Sequence, residues 1–416
     1  MRKVLFAGLV CALLTLGAVP TAAQTDMVVR WNQNLLRILR TPGAHPGSIH
    51  PTRNFAIMHI AVYDAVNSIE RSHTQFFAQL TPATANASQQ AAAAAAAHRA
   101  LTLLYPAQQS NLDNELNASL SGIPAGPDRE EGVRIGQHFG TLMVALRSND
   151  RSSLAAPPFV PGTGPGGYQI TPPNTPNPVF TGWSNVIPFT ISFPTRFRPG
   201  PPPSLTSAEY AAAFNEVKQL GGPTSTATFD QRITGWFWNA AIQNYWNEIA
   251  QTAVVSRGLT TAQSARLFAL MNIAFADAAI AFYEAKYFYS FWRPVTAIRS
   301  AADDGNPDTD PDSTWLPSTR NTPPDPSYPG AHSVISAAGA EVLRQVLGTD
   351  AVTFSVSSEV FAGVVRSFTS FTAAANEAGL SRIFSGAHYR FDDTSGQQLG
   401  KGVAEFVVAN FLRPAI

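Results

Sequence analysis

The sequence predicts an all-α protein, a large helical bundle, on three observations. Ala-rich stretches with apolar residues three and four apart recur along the chain, the spacing of an amphipathic helix. The strict apolar-polar alternation of a half-buried strand is scarce. The 416 residues suffice for a sizeable core, as one large helical domain or two smaller ones.

Taken in order, residues 1–23 open with Arg2 and Lys3, continue as an apolar run, and close on the small residues Thr21, Ala22 and Ala23. That layout is a cleaved secretory signal, so the protein is expected to be exported, periplasmic or extracellular. Cys11 lies inside the apolar run behind Val10, where lipidation would require a small residue. It is the only cysteine, so the chain without its signal has no disulfide, thiolate nucleophile or Cys-ligated metal. Loss of Arg2 and Lys3 turns 28 basic against 28 acidic residues into 26 against 28, which offers nucleic acid no basic surface. Charges and His interrupt the later apolar segments, so no transmembrane segment is expected in the mature chain.

Periodicity predicts helices at 27–40, 52–69, 86–104, 107–120, 128–148, 207–219, 230–256, 260–289, 333–347, 356–378 and 394–411. The run 89–97 is almost all alanine, the best helix former, and is read as helix. Residues 157–203 hold 14 prolines and many glycines, which prevent regular helix and predict a long surface excursion. A second long loop, 301–331, carries Asp303, Asp304, Asp308, Asp310 and Asp312. These acids resemble a calcium loop loosely, because the twelfth position from Asp304 is Trp315 rather than Glu. A solvated acidic loop accounts for them better. No repeat of solenoid length is present.

Three clusters within 280–395 carry chemistry. In the first, Lys286 and Arg293 are seven apart, which on one helix returns them to nearly the same face, and Pro294 should end or kink that helix. A solvated basic stripe fits the same spacing, but Tyr287, Phe288, Phe291 and Trp292 imply burial, and buried cations need a partner. In the second, Tyr328, Pro329, Gly330, Ala331, His332 and Ser333 form a turn before an Ala-rich run. The backbone N–H groups of Gly330, Ala331 and His332 would then face any oxyanion, with His332 beside it. A His at a helix start also serves as a cap or packing residue. In the third, His388 and Asp392 are four apart and would share a helix face, so the carboxylate could hold one imidazole nitrogen and leave the other basic. Arg382 is off that face, but Gly386 permits a turn that unites them. A nucleophile or a metal ligand is served equally by such a His, and a salt-bridged helix end is the structural alternative.

Together the clusters resemble the three-part signature of the vanadium haloperoxidases and type 2 phosphatidic acid phosphatases. Its first part, Lys-x6-Arg-Pro, is matched by Lys286, Arg293 and Pro294. Its third, Ser-Arg-x3-Gly-x-His-x3-Asp, is matched by Ser381, Arg382, Gly386, His388 and Asp392. The residues around Arg293 and Arg382 are more similar to the haloperoxidase branch than to small lipid phosphatases. A segment with His59, Tyr63, Asp64 and Asn67 is also similar to that branch. The middle part departs from the pattern: where the family has Pro-Ser-Gly-His, Gly330 replaces Ser and Ala331 replaces Gly. Backbone donation survives that change, and a hydroxyl hydrogen bond does not. Asp325, seven before His332, stands where family haloperoxidases often carry Phe or His near the halide, and an ionised carboxylate there would repel halide.

The resemblance implies a single helical domain over 24–416, of the haloperoxidase and acid phosphatase type, that binds vanadate or, in the same site, phosphate. Lys286, Arg293 and Arg382 would neutralise the oxyanion, assisted by the N–H groups of Gly330 and Ala331. In a haloperoxidase, His388 is the ligand to vanadium, and His332 serves as acid and base while hydrogen peroxide oxidises a halide. In a phosphatase acting on a phosphate ester, His388 attacks phosphorus, Asp392 orients it and His332 protonates the leaving group. A third possibility is an oxyanion-binding relative with reduced catalysis.

Overall fold

The structure, a computed structural model, describes residues 26–44, 50–77, 84–172 and 177–415. The expected signal, 1–23, lies outside them. Thirteen α-helices occur among the described residues: α1 (Met27–Arg40), α2 (His50–Glu70), α3 (Gln89–Leu104), α4 (Gln109–Ser121), α5 (Pro127–Leu146), α6 (Ala208–Leu220), α7 (Phe229–Phe237), α8 (Ile242–Arg257), α9 (Thr261–Tyr289), α10 (Pro294–Arg299), α11 (Ala331–Leu347), α12 (Phe371–Phe384) and α13 (Arg390–Asn410). One antiparallel hairpin, β1 (Ala351–Ser357) with β2 (Val365–Ser370), accompanies them.

The bundle is organised around α9, which is started by a capping box between Thr260 and Gln263 and is buried almost throughout. By length and composition α9 could cross a membrane, although Asp277 interrupts its apolar run as expected; in the fold it is the core helix against α2, α11 and α13. The alanine run of α3 packs against a stripe on α5 formed by Gly132, Gly136 and Gly140. The backbones approach so closely that a Cβ on Gly136 would stand 2.4 Å from the carbonyl oxygen of Ala92. Low complexity on one helix and glycine on its partner are thus a single packing solution.

Two expected helices are corrected. The span 230–256 is broken between α7 and α8 over residues 238–241, where buried Trp238 turns its indole N–H to Glu377 at 3.0 Å. No Gly or Pro marks the break, so periodicity ran through it. The span 356–378 is replaced by the hairpin and α12. Val352, Phe354 and Val356 are buried while their neighbours are exposed, a two-residue period that belongs to a strand. Phe354 opposes Phe368 across the pair. Helix α10 was not expected.

The excursion 157–203 carries no α-helix among its described residues, only 3-10 turns at Trp183–Asn185 and Pro194–Phe197. It is fastened to α9 by Asp277, whose fully buried carboxylate accepts the amides of Phe189 (2.6 Å), Thr190 (2.8 Å) and Ile191 (3.1 Å). The acidic loop is also internally satisfied: Asp304 accepts the Asn306 amide at 2.8 Å and the Thr309 hydroxyl. No group of three or more His, Cys, Asp or Glu able to hold a metal ion occurs among the described residues.

The α2 residues singled out by the resemblance act in the core. Tyr63 donates to the carbonyl of Thr74 (2.6 Å), Asn67 to that of His73 (2.6 Å), and Asp64 accepts the amides of Phe76 and Phe77. His59 accepts from Asn32 at 2.8 Å in a buried network that continues to Asn247 and Asn272. Burial holds the His59 imidazolium down to about 3 from an ordinary 6.5. Below about pH 6.5 the unfolded chain takes up a proton there that the folded chain refuses until about pH 3. The contribution of neutral His59 to stability is therefore complete above 6.5 and is lost on acidification through that window, by up to about 1.4 kcal/mol per pH unit. His59→Gln is expected to flatten the fall in urea-unfolding free energy between neutral pH and about pH 5 by that slope. An unchanged slope would show that His59 titrates alike in both states.

Candidate functional site

The C-terminal end of α9, the N-terminal ends of α11 and α13 and the turn after α12 meet at one place. Lys286, in the last turn of α9, is fully buried. Its ammonium donates to the carbonyls of Pro326 (2.5 Å) and Ser327 (3.1 Å) and lies 3.8 Å from the Asp325 carboxylate. The helix ends earlier than Pro294 would require. Ser290 adopts a left-handed conformation with φ 46°, and the chain continues extended, pinned to the Pro/Gly-rich excursion by Tyr168 N–H to Ser290 O (2.7 Å) and Trp292 N–H to Gly166 O (3.0 Å). Arg293 is thus the N-cap of α10 and does not share a helix face with Lys286, as the seven-residue spacing had implied. The two cations still meet, because the extended segment carries Arg293 back.

Each nitrogen of the Arg293 guanidinium has a partner. Nε donates to the Asp325 carbonyl (2.8 Å), Nη2 to the Asp325 carboxylate, and Nη1 to the Ala387 carbonyl (2.9 Å), with Nη1 also 3.0 Å from His388 Nε2. Asp325, buried and hydrogen-bonded by the Tyr283 hydroxyl as well, is therefore the counter-ion of two expected oxyanion cations.

Arg382 lies in the last turn of α12, and its carbonyl accepts the amides of Ala387 (2.9 Å) and His388 (3.2 Å), which folds the chain back on itself. Gly386 makes that turn at φ 81°, a conformation that disfavours side chains. The guanidinium donates from Nη1 to Asn239 Oδ1 at 2.8 Å, while Nε is buried without a partner among the described residues.

His388 precedes α13, whose N-cap is Tyr389, so His388 and Asp392 do not share a helix face. Asp392 is the third helical residue and turns back instead. One of its oxygens, Oδ2, lies 2.8 Å from His388 Nδ1 and accepts the Ser327 hydroxyl (2.5 Å) and the Tyr389 amide (3.1 Å). The imidazole Nε2 faces Arg293.

Gly330 is the N-cap of α11, and its N–H donates to the Asp392 carbonyl at 2.9 Å. The expectation that this N–H faces an oxyanion is corrected: joining α11 to α13 consumes it. The amides of Ala331 and His332, in the first turn, find no acceptor among the described residues. His332 is partly exposed, with Nε2 2.9 Å from the Trp238 carbonyl in the break between α7 and α8.

Burial is the leading influence on Lys286, Arg382, His388, His332 and Asp392. It pushes Lys286 down to about 8 against the pull of Asp325, and Arg382 down to about 10 with help from Arg293. Burial and then Arg293 hold the His388 imidazolium well below its ordinary range; burial and then Arg382 do the same to His332. Burial raises Asp392 to about 6, offset by the hydrogen bonds from Ser327 and Tyr389. At neutral pH both imidazoles are therefore neutral and Asp392 is ionised, which places the His388 proton on Nδ1 and a lone pair on Nε2.

Asn239, Ser327 and the Trp238 carbonyl were not among the expected site residues. Each acts through a contact distant in sequence, and no local pattern marks it. Asp325 was marked by its distance from His332, but as a neighbour of halide rather than as an internal counter-ion.

A family model described as the VCPO second helical-bundle domain matches residues 266–415, the part that holds Lys286, Arg293, His332, Arg382, His388 and Asp392. The chain is 26% identical to the vanadium chloroperoxidase of Curvularia inaequalis, over 91% of this chain and 81% of that protein. Its structure is similar to that of a bacterial vanadium-dependent iodoperoxidase, with a TM-score of 0.78 and 24% identity, covering 94% of this chain and 96% of the other. It is also similar to a holo-type bacterial vanadium-dependent chloroperoxidase, with a TM-score of 0.72 and 15% identity, covering 94% and 98%.

Proposed function

We propose that the chain is a member of the vanadium haloperoxidase superfamily, on the match of its 266–415 segment and its likeness to a vanadium chloroperoxidase, and that it is an exported enzyme that binds vanadate and uses hydrogen peroxide to oxidise halide. The observation that carries the proposal is His388, with Nδ1 held by Asp392 and Nε2 turned toward Arg293. The residues present fit an oxyanion. Lys286, Arg293 and Arg382 are buried cations, and the unpartnered Nε of Arg382 and the free amide of Ala331 are donors in need of acceptors. His388 would hold vanadate, and the three cations would neutralise its oxygens. When bound, vanadate supplies the Lewis acidity that activates peroxide toward halide.

His332 is neutral at neutral pH, with Nε2 against the Trp238 carbonyl, and a neutral imidazole can accept a proton from incoming peroxide. Hydrolysis of a phosphate ester would instead need His332 protonated to release the alcohol. What favours that second reading is Asp325, whose carboxylate disfavours halide. The deciding experiment is a parallel assay of the vanadate-loaded protein for bromination and of the vanadate-free protein for phosphate release. Peroxide- and bromide-dependent bromination is expected. Phosphate release inhibited by vanadate, without bromination, would establish the phosphatase, and neither activity would leave an oxyanion binder.

Restoring the family hydroxyl gives a graded test. Gly330 has φ −75°, and a Cβ there would stand 3.2 Å from the Asp392 carbonyl and 3.4 Å from Ser333 Oγ, so serine fits after a small shift. A hydrogen bond to a charged group is worth about 1.5 to 3 kcal/mol, and each 1.4 kcal/mol is about tenfold in rate. Gly330→Ser is expected to raise bromination by about one to two decades. No gain with vanadate binding intact would rule out the missing hydroxyl as the limiting feature and favour Asp325 or the phosphatase reading.

A further inference from the structure

The charges at the site do not add up to those of an ordinary oxyanion cradle. Lys286, Arg293 and Arg382 bring three positive charges. Asp392 brings one negative charge, and Asp325 a second, set directly against Arg293 and 3.8 Å from Lys286. The side chain that meets Arg382 is the amide of Asn239, which neutralises nothing. One excess positive charge remains, concentrated on Arg382, the cation with a buried unpartnered donor.

We propose that Asp325 makes this a pocket for singly charged oxyanions, with Asn239 preserving the one charge that binds them. The proposal rests on the oxyanion-binding reading above and narrows its ligand class. Monoanionic vanadate, the prevalent form at neutral pH, matches the excess charge. Dianionic phosphate monoesters do not, so any phosphate ester accepted here would be a diester or a monoester in its acid form. The physical reason is that a fixed carboxylate acts on each unit of ligand charge alike, so its repulsion of a dianion is twice that of a monoanion at the same place.

The test uses tetrahedral anions of fixed charge, which separates ligand charge from protein titration. Affinities of the full chain for perchlorate and sulfate are measured by calorimetry at neutral pH and constant ionic strength, for the parent, Asp325→Asn and Asn239→Asp. Asp325→Asn can keep an oxygen for Arg293 and removes the charge. If it strengthens perchlorate about tenfold, it should strengthen sulfate about a hundredfold. Asn239→Asp should weaken both, again with the sulfate factor close to the square of the perchlorate factor. It carries the test alone if Asp325→Asn does not fold. Equal factors for the two anions, or no change, would overturn the charge selection while leaving oxyanion binding in place. Failure of all three proteins to bind either anion would overturn the oxyanion reading itself.

Discussion

Replacing His388 with alanine is expected to abolish vanadate binding and vanadate-dependent bromination together. His388 is the imidazole whose Nδ1 is fixed by a buried carboxylate and whose Nε2 lies against Arg293, so it is the group able to present a lone pair among Lys286, Arg293 and Arg382. The cations alone would hold an oxyanion only by charge and hydrogen bonding. Loss of a residue that acts as the centre of such a unit costs on the order of a thousandfold or more in turnover. Steady-state bromination and calorimetric vanadate titration check the two losses separately, with thermal unfolding confirming the fold. Vanadate affinity retained within about tenfold would show that His388 is not the ligand.

The second large effect is expected at Asp392. Its Oδ2 is shared by Ser327, the Tyr389 amide and His388 Nδ1, so one atom sets the tautomer and orientation of the imidazole. Asp392→Ala removes all three contacts and is expected to lower vanadate affinity by about 10- to 100-fold, with a further loss in turnover. Asp392→Asn can keep an oxygen in the Oδ2 position and place its NH2 at Oδ1, which has no protein partner among the described residues. It should therefore retain the geometry, lose only the charge, and fall between the parent and the alanine variant. Saturation curves for vanadate in the bromination assay measure both. Equal losses in the two variants would assign the whole effect to charge, and no loss in either would remove Asp392 from the orienting role.

The candidate site was legible in part because its chemistry sits in short, ordered segments. The spacings from Lys286 to Arg293 and from Arg382 through Gly386 to His388 and Asp392 identified these residues before any fold was known. The geometry behind the spacings was misjudged. Arg293 reaches Lys286 along an extended segment after a left-handed Ser290, and His388 reaches Asp392 across a helix N-cap. Spacing constrains which residues are near one another without specifying the backbone path between them. The hairpin after α11 was missed although Val352, Phe354 and Val356 alternate, because the helical pattern of α12 was extended backward across β2.

By itself the sequence determined the helical class, most helix positions, the Pro/Gly-rich excursion and the identity of the main ionisable groups, since each is written in local composition and period. Only the tertiary structure decided how those groups are partnered. Asp325 and Arg293 are 32 residues apart, Asn239 and Arg382 are 143 apart, and Trp238 and His332 are 94 apart. Each pair meets through a loop or a helix break without periodic signal. In a buried site those partners set the net charge, because the protein interior replaces water as the source of counter-ions and hydrogen bonds.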